Sequence, residues 1–156
     1  SPRIESSAAS DVYKRQSPYS RALKKIEDSG IRPTKQRRIL AKMIFEKGDR
    51  HVSAENLFDE VKKEDRKISM ATIYNTLKQF TSLGLIREIV VDQNKSLYCN
   101  NNKSHYHLYI EDEGKIHDIP TENINLDIPS IPACLSLHNI DVIVRVRSLK
   151  EDEEKN

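Results

Sequence analysis

The pattern best suited to chemistry in this sequence is His105-Tyr106-His107. Side chains alternate along an extended chain, so both imidazoles project from one strand face, close enough to share a metal ion. Three further donors strengthen that reading: His51 at the start of an expected third helix, Cys99 ending a hairpin, and Asp118 on the strand after His107. Nitrogen ligands with a carboxylate and a thiolate suit Fe²⁺, Mn²⁺ or Zn²⁺. The two cysteines, Cys99 and Cys134, are too few for a disulfide scaffold or a four-thiolate site, and the expectation is a reduced, cytoplasmic protein. The sequence holds no phosphate-binding glycine loop, nucleophile elbow or His-Glu-x-x-His helix, so no enzymatic activity is expected.

A second set of residues points to nucleic acid. Arg32, Lys35, Arg37 and Arg38 cluster at the start of an expected second helix, within reach of phosphates or a minor groove. An expected fourth helix turns a polar, non-acidic face outward through Ala71, Asn75, Lys78, Gln79 and Ser82, with Tyr74 at its flank beside Thr72 and Asn75. Tyrosine can pack on a thymine methyl, and asparagine can bond base edges or phosphates. The expected DNA-contact set is Arg32, Thr34, Arg37, Ser69, Ala71, Thr72, Tyr74 and Asn75.

The charge distribution agrees. The formal net charge of the 156 residues is only +2, but residues 17–98 carry 17 basic and 11 acidic side chains, whereas residues 99–156 carry 6 and 11. Such asymmetry suits a polyanion-facing half joined to a half with other work. His51 and Cys99, which ends the hairpin, belong to the basic half; His105, His107 and Asp118 belong to the acidic half. A metal joining them would fix the angle between halves, a physical route from ligand to DNA affinity.

The positioning elements follow from hydrophobic periodicity. Helices are expected from near Tyr19 to Gly30, from Thr34 to Phe45, after Ser53, and from Met70 to Leu83, with Thr34, Ser53 and Ser69 as N-caps. Two extended runs, 85–91 and 96–99, form a hairpin. Helices followed by a hairpin describe a winged helix-turn-helix. Strands are then expected over His105–Ile110, Lys115–Ile119 and Asp141–Arg147, a small sheet that needs a second copy to be stable. The fold class is therefore α+β: residues 1–16 disordered or appended, 17–101 a winged-helix domain, 102–148 a β-rich dimerisation and ligand-sensing domain, and 149–156 a disordered tail. No run approaches eighteen apolar residues, so no membrane-spanning helix is expected, and no secretory pattern opens the chain.

Residues 30–92, through GIRPTKQRRILAKMIF, DRHVSAENLFDEV and ISMATIYNTLKQFTSLGLIREIVVD, closely resemble the ferric uptake regulator family of bacterial metal-dependent transcription factors. The likeness continues through NKSLYC, SHYHLYIEDEGKIHDIP and DVIVRVR, covering residues 19–147. Within the family the sequence looks most like the iron response regulator branch, which senses haem through interaction with ferrochelatase. The resemblance implies a repressor-type homodimer on AT-rich palindromic operators that governs iron or haem homeostasis. It puts Arg32 in the minor groove, Tyr74 on thymine, and His51, Cys99, His105, His107 and Asp118 at an interdomain regulatory metal site.

Three departures from the family pattern stand out. Ile110 and Glu113 replace the usual structural Cys-x-x-Cys pair, Cys99 stands where a carboxylate is usual, and Asn75 replaces the arginine after the recognition tyrosine. The Cys-Pro haem motif of some relatives is absent, since Cys99 precedes Asn100 and Cys134 precedes Leu135. Haem would then fall to His105 and His107, with His117 a lesser candidate; His117, His138 and Cys134 otherwise read as ordinary residues. The alternative function is a metal- or haem-binding protein whose winged helix makes protein contacts instead of reading DNA.

Overall fold

The computed structural model describes residues 17–150, which divide into two compact units between Asn102 and Lys103. The expected disordered stretch 1–16 and the last six residues of the expected tail lie outside the described residues.

The first unit begins with four helices: α1 (Pro18–Asp28), α2 (Lys35–Phe45), α3 (Ala54–Lys63) and α4 (Met70–Ser82). Each starts where a hydroxyl can satisfy an orphan backbone N–H. Ser17 accepts from Ser20, Thr34 from Arg37, Ser53 from Asn56 and Ser69 from Thr72. At α3 the Asn56 side chain also reaches back to the Ser53 N–H, closing a capping box. Gly84, with φ at +68°, turns the chain out of α4, a conformation costly for a residue with a side chain.

The helices bury one continuous core in which Ile26, Leu40, Ile44, Leu57, Val61, Ile73, Leu77 and Phe80 are at most 1% exposed. Truncating one of these to alanine typically costs about 2–5 kcal/mol. The Phe45 and Phe80 rings pack with centroids 6.4 Å apart.

The sheet of the first unit is larger than the expected hairpin. Strands β2 (Arg87–Asp92) and β3 (Lys95–Cys99) pair antiparallel, and a two-residue strand, β1 (His51–Val52), adds to the other side of β3. The sheet order is β1-β3-β2. His51 therefore stands on a strand three residues before the first residue of α3, a correction to its expected place at the helix start. Ser53 explains the difference: its N-capping role requires extended backbone (φ −97°, ψ 165°), so the helix begins only after it.

The second unit is a mixed sheet of order β5-β4-β6. Strands β4 (His105–Ile110) and β5 (Lys115–Pro120) form an antiparallel hairpin, and β6 (Ile143–Val146) runs parallel to β4. A single 3₁₀ turn spans Thr121–Asn123, and residues 124–142 form no helix or strand. Ion pairs flank the turn between β4 and β5, Glu111 to Arg147 at 2.6 Å and Glu113 to Lys115 at 2.8 Å. Among the described residues, no helix is long and apolar enough to cross a membrane.

Candidate metal centre and nucleic-acid interface

The alternation of β4 buries His105, His107 and Tyr109 on one face and leaves Tyr106, Leu108 and Ile110 half-buried on the other. Asp118 is the Cα partner of His107 on β5, and directly opposed residues of an antiparallel pair share a face. Three donor atoms consequently converge: His105 Nε2 and His107 Nε2 lie 2.9 Å apart, and Asp118 Oδ1 lies 3.3 and 3.5 Å from them. Ligands bound at about 2.0–2.2 Å around one tetrahedral ion stand roughly 3.3 Å from each other, so this spacing fits a single small cation. His105 Nδ1 lies 2.6 Å from the Lys103 carbonyl oxygen, which can only accept, so Nδ1 carries the proton and Nε2 presents its lone pair to the cluster.

The first unit holds a second donor pair. His51 and Cys99 are Cα partners across β1 and β3, with ligand atoms within 4.8 Å of each other, and Cys99 is 1% exposed. The pair is braced from the residues beside it. Asn100 accepts the Arg50 N–H at 2.7 Å and donates to the carbonyls of Ile44 and Gly48 at 2.7 and 2.8 Å. Arg50 donates to the Met43 carbonyl at 3.0 Å and forks onto both carboxylate oxygens of Glu60. Burial pushes the Glu60 carboxyl up, but the bonds and charges of Arg50 and Lys47 outweigh it and hold the group below the usual carboxylate range. The end of α2, the body of α3 and the His51–Cys99 register are thus tied into one network.

The expected nucleic-acid surface is assembled on the first unit alone. Ser69, Ala71, Tyr74, Asn75 and Lys78 are exposed on or beside α4, while Thr72 and Gln79 are half-buried. Five expected contact residues, Thr34, Arg37, Ser69, Thr72 and Tyr74, are engaged within the protein: Thr34 and Ser69 spend their hydroxyls on capping, and the Ser69 hydroxyl also bonds Thr72 at 2.9 Å. Arg37 bridges Gln79 of α4 at 2.9 Å and the Arg32 carbonyl at 2.6 Å, which locks the start of α2 onto α4. Arg32 itself is exposed. The sequence reading did not single out Glu55, whose carboxylate accepts the Tyr74 hydroxyl at 2.8 Å. Its signal was an acid in the first turn of α3, ordinarily read as a helix-dipole partner.

The exposed α4 face and the paired-histidine strand occur in a sequence that matches the ferric uptake regulator family over residues 28–144. The chain belongs to that family. Ferric uptake regulator proteins are metal-responsive transcriptional regulators, and the relatives found carry regulator names, not enzyme names. The peroxide-responsive repressor PerR of Staphylococcus aureus (strain Mu50 / ATCC 700699) is 30% identical over 100 residues, 64% of this chain and 67% of that relative. A zinc-bound manganese uptake regulator superposes with a TM-score of 0.58 at 25% identity, covering 82% of this chain and 98% of that one. The ferric uptake regulator from Pseudomonas aeruginosa with manganese gives a TM-score of 0.61 at 20% identity, covering 80% and 96%, a likeness of fold. The α+β architecture of helices and two small sheets is thus the family's architecture.

Proposed function

We propose that this ferric uptake regulator protein is a homodimeric, sequence-specific DNA-binding repressor whose operator affinity is set by one divalent ion. The observation that carries the reading is the convergence of the buried His105 and His107 of β4 with the exposed Asp118 of β5 within 3.5 Å. His51 and Cys99 complete the ligand set, and the ion thereby couples the two units. The metal supplies the cross-link; the protein supplies a lone pair fixed by the Lys103 carbonyl and a His51–Cys99 pair braced by Asn100 and Arg50. A thiolate among imidazoles and one carboxylate favours Zn²⁺ or Fe²⁺ over Mn²⁺.

Arg32, Tyr74 and Asn75 carry the DNA contacts, with Ala71 and Thr72 lining the same α4 face. Thr34, Arg37 and Ser69 act mainly by holding α2 and α4 in register. A palindrome is the expected operator, because a dimer places two copies of α4 on half-sites related by its two-fold axis, and the family resemblance implies that it is AT-rich. Leu126, Ile128, Ile131, Leu135 and Leu137 are 40–64% exposed in the second unit, the kind of apolar surface a partner copy covers.

Iron or haem homeostasis as the regulated process, and the iron response branch with its ferrochelatase contact, form the finer reading, supported by the histidine pair on β4. The relatives are peroxide-responsive repressors and metal uptake regulators, and His105 and His107 are buried with nitrogens 2.9 Å apart. Both observations favour a bare ion over a porphyrin.

Mobility shifts test the proposal. The protein is titrated onto an AT-rich palindrome and onto random duplex at two salt concentrations, with and without Zn²⁺, Fe²⁺ or Mn²⁺. The expected result is a salt-sensitive preference for the palindrome that changes with metal. Equal binding to both duplexes in every condition refutes it and favours the reading in which the winged helix serves protein contacts.

A further inference from the structure

Tyr74 is 46% exposed on α4, yet its hydroxyl is committed within the protein. It donates to Glu55 Oε1 at 2.8 Å, bridging the outward flank of α4 to the first turn of α3. A phenol has a single proton to donate, so with this bond made the hydroxyl can offer a partner only acceptor capacity. Glu55 is well anchored for the task. It sits in the first turn of α3, where the helix dipole favours an anion, and its own backbone N–H, then Tyr74 and Ser53, hold its carboxyl below the usual range. The same bond raises the Tyr74 phenol, so the proton stays on the tyrosine.

We propose that Glu55 is a positioning residue for operator reading. By taking the proton of Tyr74 it fixes the ring against α4 and leaves the contact with DNA to ring carbons, so that Tyr74 reads a thymine methyl by apolar packing. This rests on the reading of α4 as the DNA-facing helix. It adds that selectivity at the tyrosine position depends on an acidic residue of another helix. A carboxylate on a surface meant for phosphates otherwise carries an electrostatic cost, and the fixed ring accounts for its presence.

The test uses the full chain, a duplex enriched from a randomised library on the wild-type protein, and copies of that duplex with single thymines replaced by deoxyuridine. Uracil keeps the base pair and removes only the methyl. Wild type is expected to lose about tenfold in affinity at one thymine or more per half-site. Glu55→Ala and Tyr74→Phe should each bind the thymine and uracil duplexes within about twofold of each other, and the double variant should be no worse than either. Glu55→Gln, whose amide oxygen still accepts the hydroxyl proton, should restore the discrimination. Thermal melting checks that each variant is folded, and Tyr74→Phe keeps the test decisive should Glu55→Ala unfold. Undiminished uracil discrimination in folded Glu55→Ala or Tyr74→Phe, or losses that add in the double variant, would overturn the proposal alone. A wild-type protein that enriches no sequence would overturn the DNA reading with it.

Discussion

Asn100 occupies the loop end of α2 and the backbone of Arg50 at once, with three hydrogen bonds of 2.7–2.8 Å from one amide side chain. That relationship sets the register in which His51, next after Arg50, faces Cys99, the residue before Asn100. The strand ends that carry the proposed ligands His51 and Cys99 are therefore held by the same bonds that fasten the end of α2, and the consequences are measurable.

Replacing Asn100 by alanine leaves the Ile44 carbonyl and the Arg50 N–H without this partner in a partly buried corner, and frees the exposed Gly48 carbonyl. The expected loss is about 2–4 kcal/mol of unfolding free energy by urea titration, with the α-helical signal of the folded state retained.

The Glu60 carboxyl is depressed in the folded protein, so its contribution is complete above the unfolded value of about 4.3 and is lost as pH falls through the lower folded value. Glu60→Gln removes it. Wild type should be more stable than Glu60→Gln at neutral pH, by about 1–3 kcal/mol, and the two curves should converge at the acid end of a pH series of chemical denaturations. Curves that stay parallel into acid would show that the Arg50–Glu60 pair contributes nothing.

Cys99 and Cys134 give opposite predictions. Loading the protein with Co²⁺ should produce a thiolate-to-metal charge-transfer band that Cys99→Ser abolishes and Cys134→Ser leaves intact, because Cys134 is exposed in an irregular stretch and Cys99 is buried beside His51. A band surviving in Cys99→Ser would remove the thiolate from the proposed ligand set.

On the DNA side, Arg32→Ala should weaken binding to all duplexes and reduce the salt slope by about 1, the signature of a phosphate or groove cation. Tyr74→Ala should cost about 1–3 kcal/mol on the preferred duplex and little on random sequence. Lys62→Ala is the control. Its ammonium stacks over the Phe58 ring at 4.1 Å on α3, and a change there should leave the palindrome preference intact.

The helices were legible because their signals are local: Thr34, Ser53 and Ser69 lie within three residues of the N–H groups they cap, and the apolar stripe of α4 repeats every three or four positions. The His105–His107 pair was legible for the same reason, since strand alternation needs only two residues to show. What sequence hid is non-local. Strand β1 has two residues and exists through its partners Tyr98 and Cys99, so no window around His51 carries a strand period. Glu55 meeting Tyr74 and Arg37 meeting Gln79 depend on how helices cross, which hydrophobic periodicity leaves open. The parallel pairing of β6 with β4 likewise depends on a long irregular connection that has no pattern of its own.

The central claim is that one metal ion on the β4 histidines controls DNA affinity, and fluorescence anisotropy of a labelled AT-rich palindrome tests it most directly. Wild type and His105→Ala/His107→Ala are titrated with and without saturating Zn²⁺, after gel filtration has shown that both are dimers. The account predicts that Zn²⁺ shifts the wild-type dissociation constant by about tenfold or more and leaves that of the double variant unchanged. A wild-type affinity indifferent to the metal, or a double variant that responds as wild type does, would contradict it.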